Sequence, residues 1–148
     1  MMFNLKEIMS TNVITVPLSA TLDEARSLMR ENHFHHLPVV NDGGDFVGLL
    51  TQTDVLAATD SSLRDAENRL RAVNIPIEDV MVRNIATINE DASIRQAALF
   101  LEKYRIGCLP IVTKGKLVGI ITDTDFVAVA INLLEQLEEI EPDEEYND

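Results

Sequence analysis

The sequence repeats itself, and this duplication constrains the fold more than any other feature. Met9 recurs as Met81, 72 positions later, and after the loss of one residue in a turn Asp54 recurs as Asp125, 71 positions later. Other matching pairs lie along both halves: Thr15/Thr87, Ala20/Ala92, Ala25/Ala97, Leu37/Leu109, Pro38/Pro110, Val40/Val112, Val47/Val118, Gly48/Gly119 and Thr53/Thr124. The chain is therefore a tandem of two homologous units.

Each unit carries the pattern β-α-β-β-α. Capping boxes, Thr21 with Glu24 and Ser93 with Gln96, predict the start of the first helix in each unit. Apolar residues at helical spacing follow both boxes. The strands are predicted at residues 13–16, 37–40 and 46–51 in the first unit and at 85–88, 109–112 and 117–122 in the second, with second helices beginning at Thr53 and Thr124.

These patterns divide the chain into four parts. We predict a first repeat at residues 1–58, a helical connector at 59–76, a second repeat at 77–133 and an acidic helix end and tail at 134–148. One repeat alone leaves an apolar sheet face partly uncovered, so the two repeats are expected to pack together with pseudo-twofold symmetry. The fold class is α+β (mixed α/β), with two related clefts at the seam.

Charge excludes several classes of function. Lys and Arg total 12 against 25 Asp and Glu, a net charge of −13, and eight of the acids lie between Glu135 and Asp148. Such a chain lacks the basic surface that duplex DNA requires. No apolar run approaches the ~20 residues of a membrane span, and no secretory signal is visible. With one cysteine as well, we expect a cytoplasmic protein that neither binds nucleic acid duplexes nor enters a membrane.

The repeated motif Gly-x-x-Thr-x-Thr-Asp lies where a strand meets a helix. It contains Thr51, Thr53 and Asp54 in the first repeat and Thr122, Thr124 and Asp125 in the second. Glycine lets a ligand or another backbone approach closely, and a helix N-terminus attracts phosphate oxygens. A nearby carboxylate can accept hydrogen bonds from ribose hydroxyls. The alternative is that these threonines and aspartates are N-caps only.

Other reactive side chains give weaker signals. His33, His35 and His36 do not share one face, so surface positions or anion contacts are favoured over a metal site. Cys108 has the features of a small packing residue. Arg83 and Arg105 lie nearest the edge of the second repeat's predicted cleft, either solvated or in contact with phosphate. We find no catalytic set and no metal-ligand motif, which predicts that the protein is not an enzyme.

The two motifs, with Leu-Pro-Val-Val before the first, resemble a pair of CBS domains, the module named after cystathionine beta-synthase, which together form a Bateman module. The resemblance extends from about Leu5 to Ala130. Overall the chain is similar to stand-alone bacterial CBS-pair proteins of the acetoin-utilisation type. The resemblance implies regulatory binding of AMP, ADP or ATP, or of S-adenosylmethionine, with no required cofactor and with homodimer formation.

The same resemblance implies roles for particular residues. Asp54 and Asp125 would hold ribose, and the four motif threonines would face ribose and phosphate. The base would lie against the first strand of the other repeat: Met81, Asn84 and Ala86 opposite Asp54, and Met9, Asn12 and Ile14 opposite Asp125. His35 and His36, and in the second repeat Gly107 and Cys108, would border the phosphate. Because only the first repeat has histidines there, we expect the two clefts to differ in affinity.

Three functions remain open at this point. The leading hypothesis is a non-catalytic adenine-nucleotide sensor that changes its shape or dimer packing and so regulates a partner protein. The second is a structural dimerisation module that binds no ligand. The third and weakest is an enzyme acting on a nucleotide. Apolar helix segments at Val55–Leu56 and Phe126–Val129 supply a dimer surface, unless they close the core of the monomer.

Overall fold

The computed structural model describes residues 4–60 and 75–138. Within these ranges the chain forms five α-helices, five strands and a short 3-10 helix at Ile77–Asp79. The helices are α1 (Leu5–Ile8), α2 (Leu22–Asn32), α3 (Gln52–Asp60), α4 (Ile94–Tyr104) and α5 (Asp123–Glu138). The strands are β1 (Val16–Pro17), β2 (His36–Val40), β3 (Phe46–Thr51), β4 (Cys108–Thr113) and β5 (Lys116–Thr122).

The first helix of each repeat begins at the capping box that the sequence predicts. The Thr21 hydroxyl accepts the N–H of Glu24, and the Glu24 carboxylate accepts the N–H of Thr21. Ser93 and Gln96 form the same pair at the start of α4. These reciprocal bonds satisfy backbone donors that a helix N-terminus leaves unpaired.

Two small sheets confirm the mixed α+β fold class. β2 pairs antiparallel with β3, and β1 adds parallel to β2, in the order β1-β2-β3. β4 and β5 form the equivalent antiparallel pair. Both hairpins carry a register shift at the same place, between Val39 and Val40 in one and between Ile111 and Val112 in the other. The duplication therefore extends to the details of the strand pairing.

The first strand of each repeat is shorter than predicted. The strand expected at 13–16 is reduced to β1, Val16–Pro17, and the one expected at 85–88 is reduced to a single bridge between Ile88 and Ile111. The prediction was wrong because the preceding residues leave their own sheet and cross to the other repeat.

This crossing joins the two repeats through backbone hydrogen bonds. Ser10 and Ile120 exchange two N–H···O=C bonds of 2.9 and 3.0 Å, and Leu49 and Val82 exchange two of 3.0 and 2.8 Å. We call residues 9–14 and 81–86 the crossing arms. Each arm pairs with the third strand of the other repeat, so the same contact is made twice.

Because of this crossing, each hydrophobic core contains residues from both halves of the sequence. Leu5 of α1 packs in the core of the second repeat, whereas Ile77 and Met81 pack in the core of the first. All three side chains are buried. Each repeat therefore completes its core with the opening segment of the other repeat, which increases the apolar area whose burial depends on their association.

The hairpin tips also meet. The Lys116 ammonium lies 2.9 Å from the Asp45 carboxylate, and the N–H of Phe46 donates to the carbonyl of Gly115 at 2.9 Å. The hydrogen bond and charge of Lys116 lower the pKa of Asp45. Because both side chains are exposed, this ion pair contributes little free energy of unfolding.

Two predicted segments lie mainly outside the described residues. α3 continues to Asp60 and the chain resumes at Ile75, so residues 61–74 of the predicted connector are not described. The predicted C-terminal helix end continues to Glu138, and the acidic tail beyond it is likewise not described. None of the helices within the described ranges is long and apolar enough to span a bilayer.

The crossing explains the two motif glycines and generates a prediction. A Cβ at Gly48 would lie 2.7 Å from Sδ of Met81 and 3.1 Å from the carbonyl of Val82. A Cβ at Gly119 would lie 2.8 Å from Sδ of Met9 and 3.0 Å from the carbonyl of Ser10. We expect Gly48→Ala and Gly119→Ala each to lower the free energy of unfolding by about 1–3 kcal/mol, the usual cost of overpacking.

Gly43→Ala is the matched control in this experiment, because its nearest neighbours lie at 3.4 and 3.7 Å and its turn is exposed. Equilibrium denaturant unfolding gives the comparison. Equal stability of Gly48→Ala and Gly43→Ala would contradict the account of the crossing arms.

Candidate functional site

A cavity of about 760 Å³ opens at the seam between the repeats. It is surrounded by the start of β2, the end of β3, the crossing arm of the second repeat, and the segment that joins the end of α4 to the start of β4. It is lined by His36, Leu49, Thr51, Val82, Asn84, Ile85, Ala86, Tyr104, Arg105, Ile106, Gly107 and Cys108. We call this the large cavity.

The lining of the large cavity combines apolar walls with a few polar groups. Aliphatic side chains from β3, the crossing arm and the α4–β4 turn supply the walls. The polar groups are the Thr51 hydroxyl, the Asn84 amide, the His36 imidazole and the Arg105 guanidinium. Small-molecule sites typically have this composition and a volume of about 300–1,000 Å³. The cavity suits a ligand with one flat apolar part and one polar or anionic part.

A second cavity of about 190 Å³ lies at the pseudo-symmetric position. It is lined by Ser10, Asn12, Val13, Ile14, Phe34, His36, Pro38 and Ile120. By the repeat offset, Ile14 stands where the large cavity has Ala86, and Phe34 stands where it has Ile106. His36 likewise replaces Cys108. Larger side chains at these three equivalent positions explain why this small cavity has a quarter of the volume.

The two cavities bring together about half of the predicted site residues. The large cavity contains Thr51, Asn84, Ala86, His36, Gly107 and Cys108. The small cavity contains Asn12, Ile14 and again His36. Met9 and Met81 instead pack across the motif glycines of the other repeat. His35 lines a separate groove between α2 and α3.

The remaining predicted residues line neither cavity: Thr53 and Asp54 lie in the first turn of α3, Thr124 and Asp125 lie in the first turn of α5, and Thr122 is the last residue of β5. Hydrogen bonds there match the N-cap alternative. The Thr51 hydroxyl accepts the N–H of Asp54 at 3.1 Å, and the Thr122 hydroxyl accepts the N–H of Asp125 at 3.4 Å.

The two aspartates nevertheless differ. The Asp125 carboxylate accepts the N–H and the hydroxyl of Thr122, at 2.9 and 3.2 Å. No donor among the described residues is bonded to the carboxylate of half-buried Asp54. Asp54, which is one helical turn from Thr51 and the large cavity, therefore keeps its carboxylate available to a ligand.

Burial controls the chemistry of His36 and Cys108. Burial lowers the pKa of His36 below 6.5, and the neighbouring charge of His35 lowers it further, against an opposing effect of Asp123. Burial, with the charges of Asp123 and Asp125, raises the pKa of Cys108 to about 12. The thiol is therefore protonated near neutral pH and is a poor nucleophile.

The structure also places residues in the large cavity that the sequence did not single out. Tyr104, the last residue of α4, is half exposed and packs edge-on against Phe100 with ring centroids 5.7 Å apart. For Tyr104 the available signal was its position at a helix end, three residues before Gly107. Arg105, which the sequence placed at the edge of the predicted cleft as either solvated or in contact with phosphate, follows Tyr104 with a left-handed φ of 51° and lines the large cavity. Arg83 is not among the lining residues and lies 3.5 Å from Glu78.

The histidine cluster separates in three dimensions. His33 and His35 line the groove between α2 and α3, whereas His36 faces the two cavities. In the described part of the chain, no three His, Cys, Asp or Glu side chains are grouped so that they could hold a metal ion.

Comparison with known proteins adds independent information on the family. The CBS domain model matches residues 5–61 and 77–132. A solved Vibrio cholerae protein assigned to acetoin utilization (AcuB) is 37% identical with a TM-score of 0.78, over 96% of this chain and 100% of that chain. The L-aspartate semialdehyde sulfurtransferase of Methanosarcina acetivorans is 30% identical, but the chain spans only 22% of its length.

Two further solved structures contain adenosine compounds. CBSX2 in complex with AMP is 25% identical with a TM-score of 0.75, over 89% of this chain and 98% of that chain. The CBS domain pair of protein MJ0100, in complex with 5′-methylthioadenosine and S-adenosyl-L-methionine, is 28% identical with a TM-score of 0.73, over 90% of this chain and 99% of that chain. Since the family model matches both repeats and the fold is shared over nearly whole chains, this protein belongs to the CBS domain family as a tandem CBS pair.

Proposed function

We propose that this CBS pair is a non-catalytic regulatory module of the cytoplasm that binds an adenosine-containing ligand of the AMP, ADP or ATP class. The observation that carries the proposal is the large cavity, whose volume of about 760 Å³ and mixed lining suit a nucleotide. The solved CBS pairs that contain AMP and S-adenosyl-L-methionine support the same ligand class. S-adenosylmethionine is the second candidate ligand because it contains the same adenosine group.

The apolar walls would receive the base. Adenine is flat and needs two opposed apolar surfaces. In our proposal Val82 and Ile85 of the crossing arm supply one surface, and Ile106 after α4 supplies the other. Ala86, with its small side chain, leaves the room that the base occupies.

The polar groups would receive ribose and phosphate. The available Asp54 carboxylate and the Thr51 hydroxyl are proposed to bind the ribose hydroxyls. His36 and Arg105 are proposed to bind the phosphate, since Arg105 is exposed and makes no ion pair with any residue in the described ranges. Arginine suits this role because its guanidinium donates two parallel hydrogen bonds to phosphate oxygens.

Signalling would follow from the position of the cavity at the seam. His36 and Thr51 belong to the first repeat, whereas Ala86 and Gly107 belong to the second. A ligand that touches both repeats changes their relative packing only if it binds one arrangement more tightly than the other. We propose that this difference is transmitted through a homodimer to a regulated partner protein.

The alternative function is a structural dimerisation module that binds no ligand. The N-cap bonds of Thr51 and Thr122 support it, because they give both threonines a role without a ligand. Under this alternative no adenosine compound stabilises the protein. The high pKa of Cys108 argues against a nucleotide-modifying enzyme that uses this thiol as its nucleophile.

Exchange of the residues that distinguish the cavities tests the ligand site. We expect AMP, ADP, ATP or S-adenosylmethionine to stabilise nucleotide-stripped protein, by ~2.7 kcal/mol at one hundred times the dissociation constant. Ala86→Ile should weaken the affinity for the ligand at least tenfold and so reduce the stabilisation, because it introduces into the large cavity the side chain that fills the small cavity at Ile14. A thermal-shift panel with GTP as the control ligand measures both effects.

Ile14→Ala is the matched control variant, since it enlarges the small cavity and leaves the large one intact. Ile14→Ala should be stabilised by the adenosine compounds to the same extent as the wild-type protein. Absence of any shift for the adenosine panel would favour the structural alternative, and an unchanged response of Ala86→Ile would place the ligand elsewhere.

The low pKa of His36 predicts how AMP binding depends on pH. In the free protein, burial and the neighbouring His35 hold the pKa of the His36 imidazole below its ordinary value, which favours the neutral form near pH 7. A phosphate beside it raises that pKa, so binding takes up a proton and affinity for AMP rises as pH falls through the pKa of the complex. Calorimetric titrations between about pH 7.5 and 5.5, across the ordinary histidine pKa of ~6.5, measure this change.

Two controls isolate the contribution of His36. Adenosine lacks the phosphate, so its affinity should not rise as pH falls. His36→Asn should remove the rise in affinity for AMP at low pH, and only the pH dependence that comes from titration of the AMP phosphate should remain. The same rise in wild type and His36→Asn would show that His36 does not contact the phosphate.

The homodimer is proposed to form through α5. Val127, Ile131 and Leu134 share one face at helical spacing and are each more than half exposed. Since an apolar stripe of this kind is unfavourable in water, we expect a second copy to cover it. Ile131→Lys should give monomers in sedimentation velocity, whereas Gln136→Lys, on the opposite face of α5, should remain dimeric. A monomeric wild-type protein would contradict this interface.

A further inference from the structure

A groove of about 410 Å³ between α2 and α3 has no part in the proposed ligand site. Its rim carries Arg26 and Arg30, one turn apart on α2, together with His33 and His35. Its floor is apolar, formed by Met29, Phe34, Val55 and Leu56. The groove therefore combines a cationic rim with an apolar base.

This cationic rim is not inherited from the duplicated fold. By the repeat offset, Ala98 stands at the position of Arg26 and Glu102 at the position of Arg30. The equivalent groove between α4 and α5 is lined by Ala98, Asp123 and apolar side chains, with a volume of about 280 Å³. Packing of the two helices thus requires no arginine at these positions.

The two arginines also lack a partner among the described residues. The ion pairs in that part of the chain join Lys6 to Asp91, Arg83 to Glu78 and Lys116 to Asp45. In a chain of net charge −13, two adjacent uncompensated arginines mark a surface that attracts carboxylates.

The richest source of carboxylates in this chain is its own C-terminal segment. Residues 139–148 contain six acids, Glu139, Glu141, Asp143, Glu144, Glu145 and Asp148. The same segment contains two side chains that could occupy an apolar floor, Ile140 and Tyr146. Its composition therefore complements both parts of the groove.

We propose that the groove between α2 and α3 binds the acidic segment 139–148 of the same chain, with carboxylates on Arg26 and Arg30 and Tyr146 over the floor. The segment follows α5, which ends at Glu138, and ten extended residues reach ~33–36 Å. A tethered segment has an effective concentration of about millimolar, so it outcompetes the segment of a second copy in dilute solution. This proposal does not depend on nucleotide binding.

Backbone amide NMR of the full-length chain tests the proposal. We compare resonances of residues 139–148 in the protein with those of a free peptide of the same sequence at low ionic strength. The expected result is that they differ, and that Arg26→Gln/Arg30→Gln moves them to the free-peptide positions. Salt at about 1 M should do the same, because it shortens the screening length to ~3 Å.

Matched variants separate specific binding from a general effect of charge. Arg95→Gln/Lys103→Gln removes two cations from α4 and should leave the segment bound. Neutralising the segment, with Glu141→Gln, Asp143→Asn, Glu144→Gln and Glu145→Gln, should shift the amides of Met29 and His33 in the groove. Free-peptide resonances in the wild-type protein, or equal shifts in both cation variants, would overturn the proposal.

A dilution series decides whether the segment belongs to the same chain. The resonances of residues 139–148 should not change with protein concentration. Movement toward the free-peptide positions on dilution would overturn the assignment to the same chain and indicate exchange between copies.

Discussion

The structure depends on the reciprocal crossing of the two arms. Four backbone hydrogen bonds, between Ser10 and Ile120 and between Leu49 and Val82, hold each repeat against the third strand of the other. The crossing brings Met9 and Met81 over Gly119 and Gly48, where any larger residue would collide. It also creates the seam, because residues that leave their own sheet form one wall of each cavity. The composition of the cores, the need for glycine in both motifs and the position of the candidate site therefore all result from the crossing.

The duplication preserves this framework, whereas side-chain size decides which half of it can bind a ligand. The cavities occupy equivalent positions, but Ile14 and Phe34 reduce one of them to about 190 Å³, while Ala86 and Ile106 leave about 760 Å³ in the other. The carboxylates show a similar division, since Asp125 is bonded to Thr122 and Asp54 keeps its oxygens available. One repeat pair therefore carries one large candidate site and one reduced copy of it.

Much of the fold could be predicted because its signals are local. The capping boxes located α2 and α4, and the spacing of apolar residues located the hairpins to within a residue. The crossing could not be predicted, because the pairing of Ser10 with Ile120 joins residues 110 positions apart and leaves no local pattern. Without it, residues 13–16 and 85–88 resembled ordinary strands.

The candidate site was predictable where a residue lies on an arm or at a strand end, as for Asn84 and Thr51. Helix starts, such as Thr124, were less certain, because one sequence motif serves both an N-cap and a ligand contact.

One large site and one reduced copy per chain are tested most directly by the ligand stoichiometry of nucleotide-stripped protein, measured by calorimetry with AMP. We predict saturable binding of one AMP per chain; two equivalent sites per chain, or no binding, would contradict this prediction.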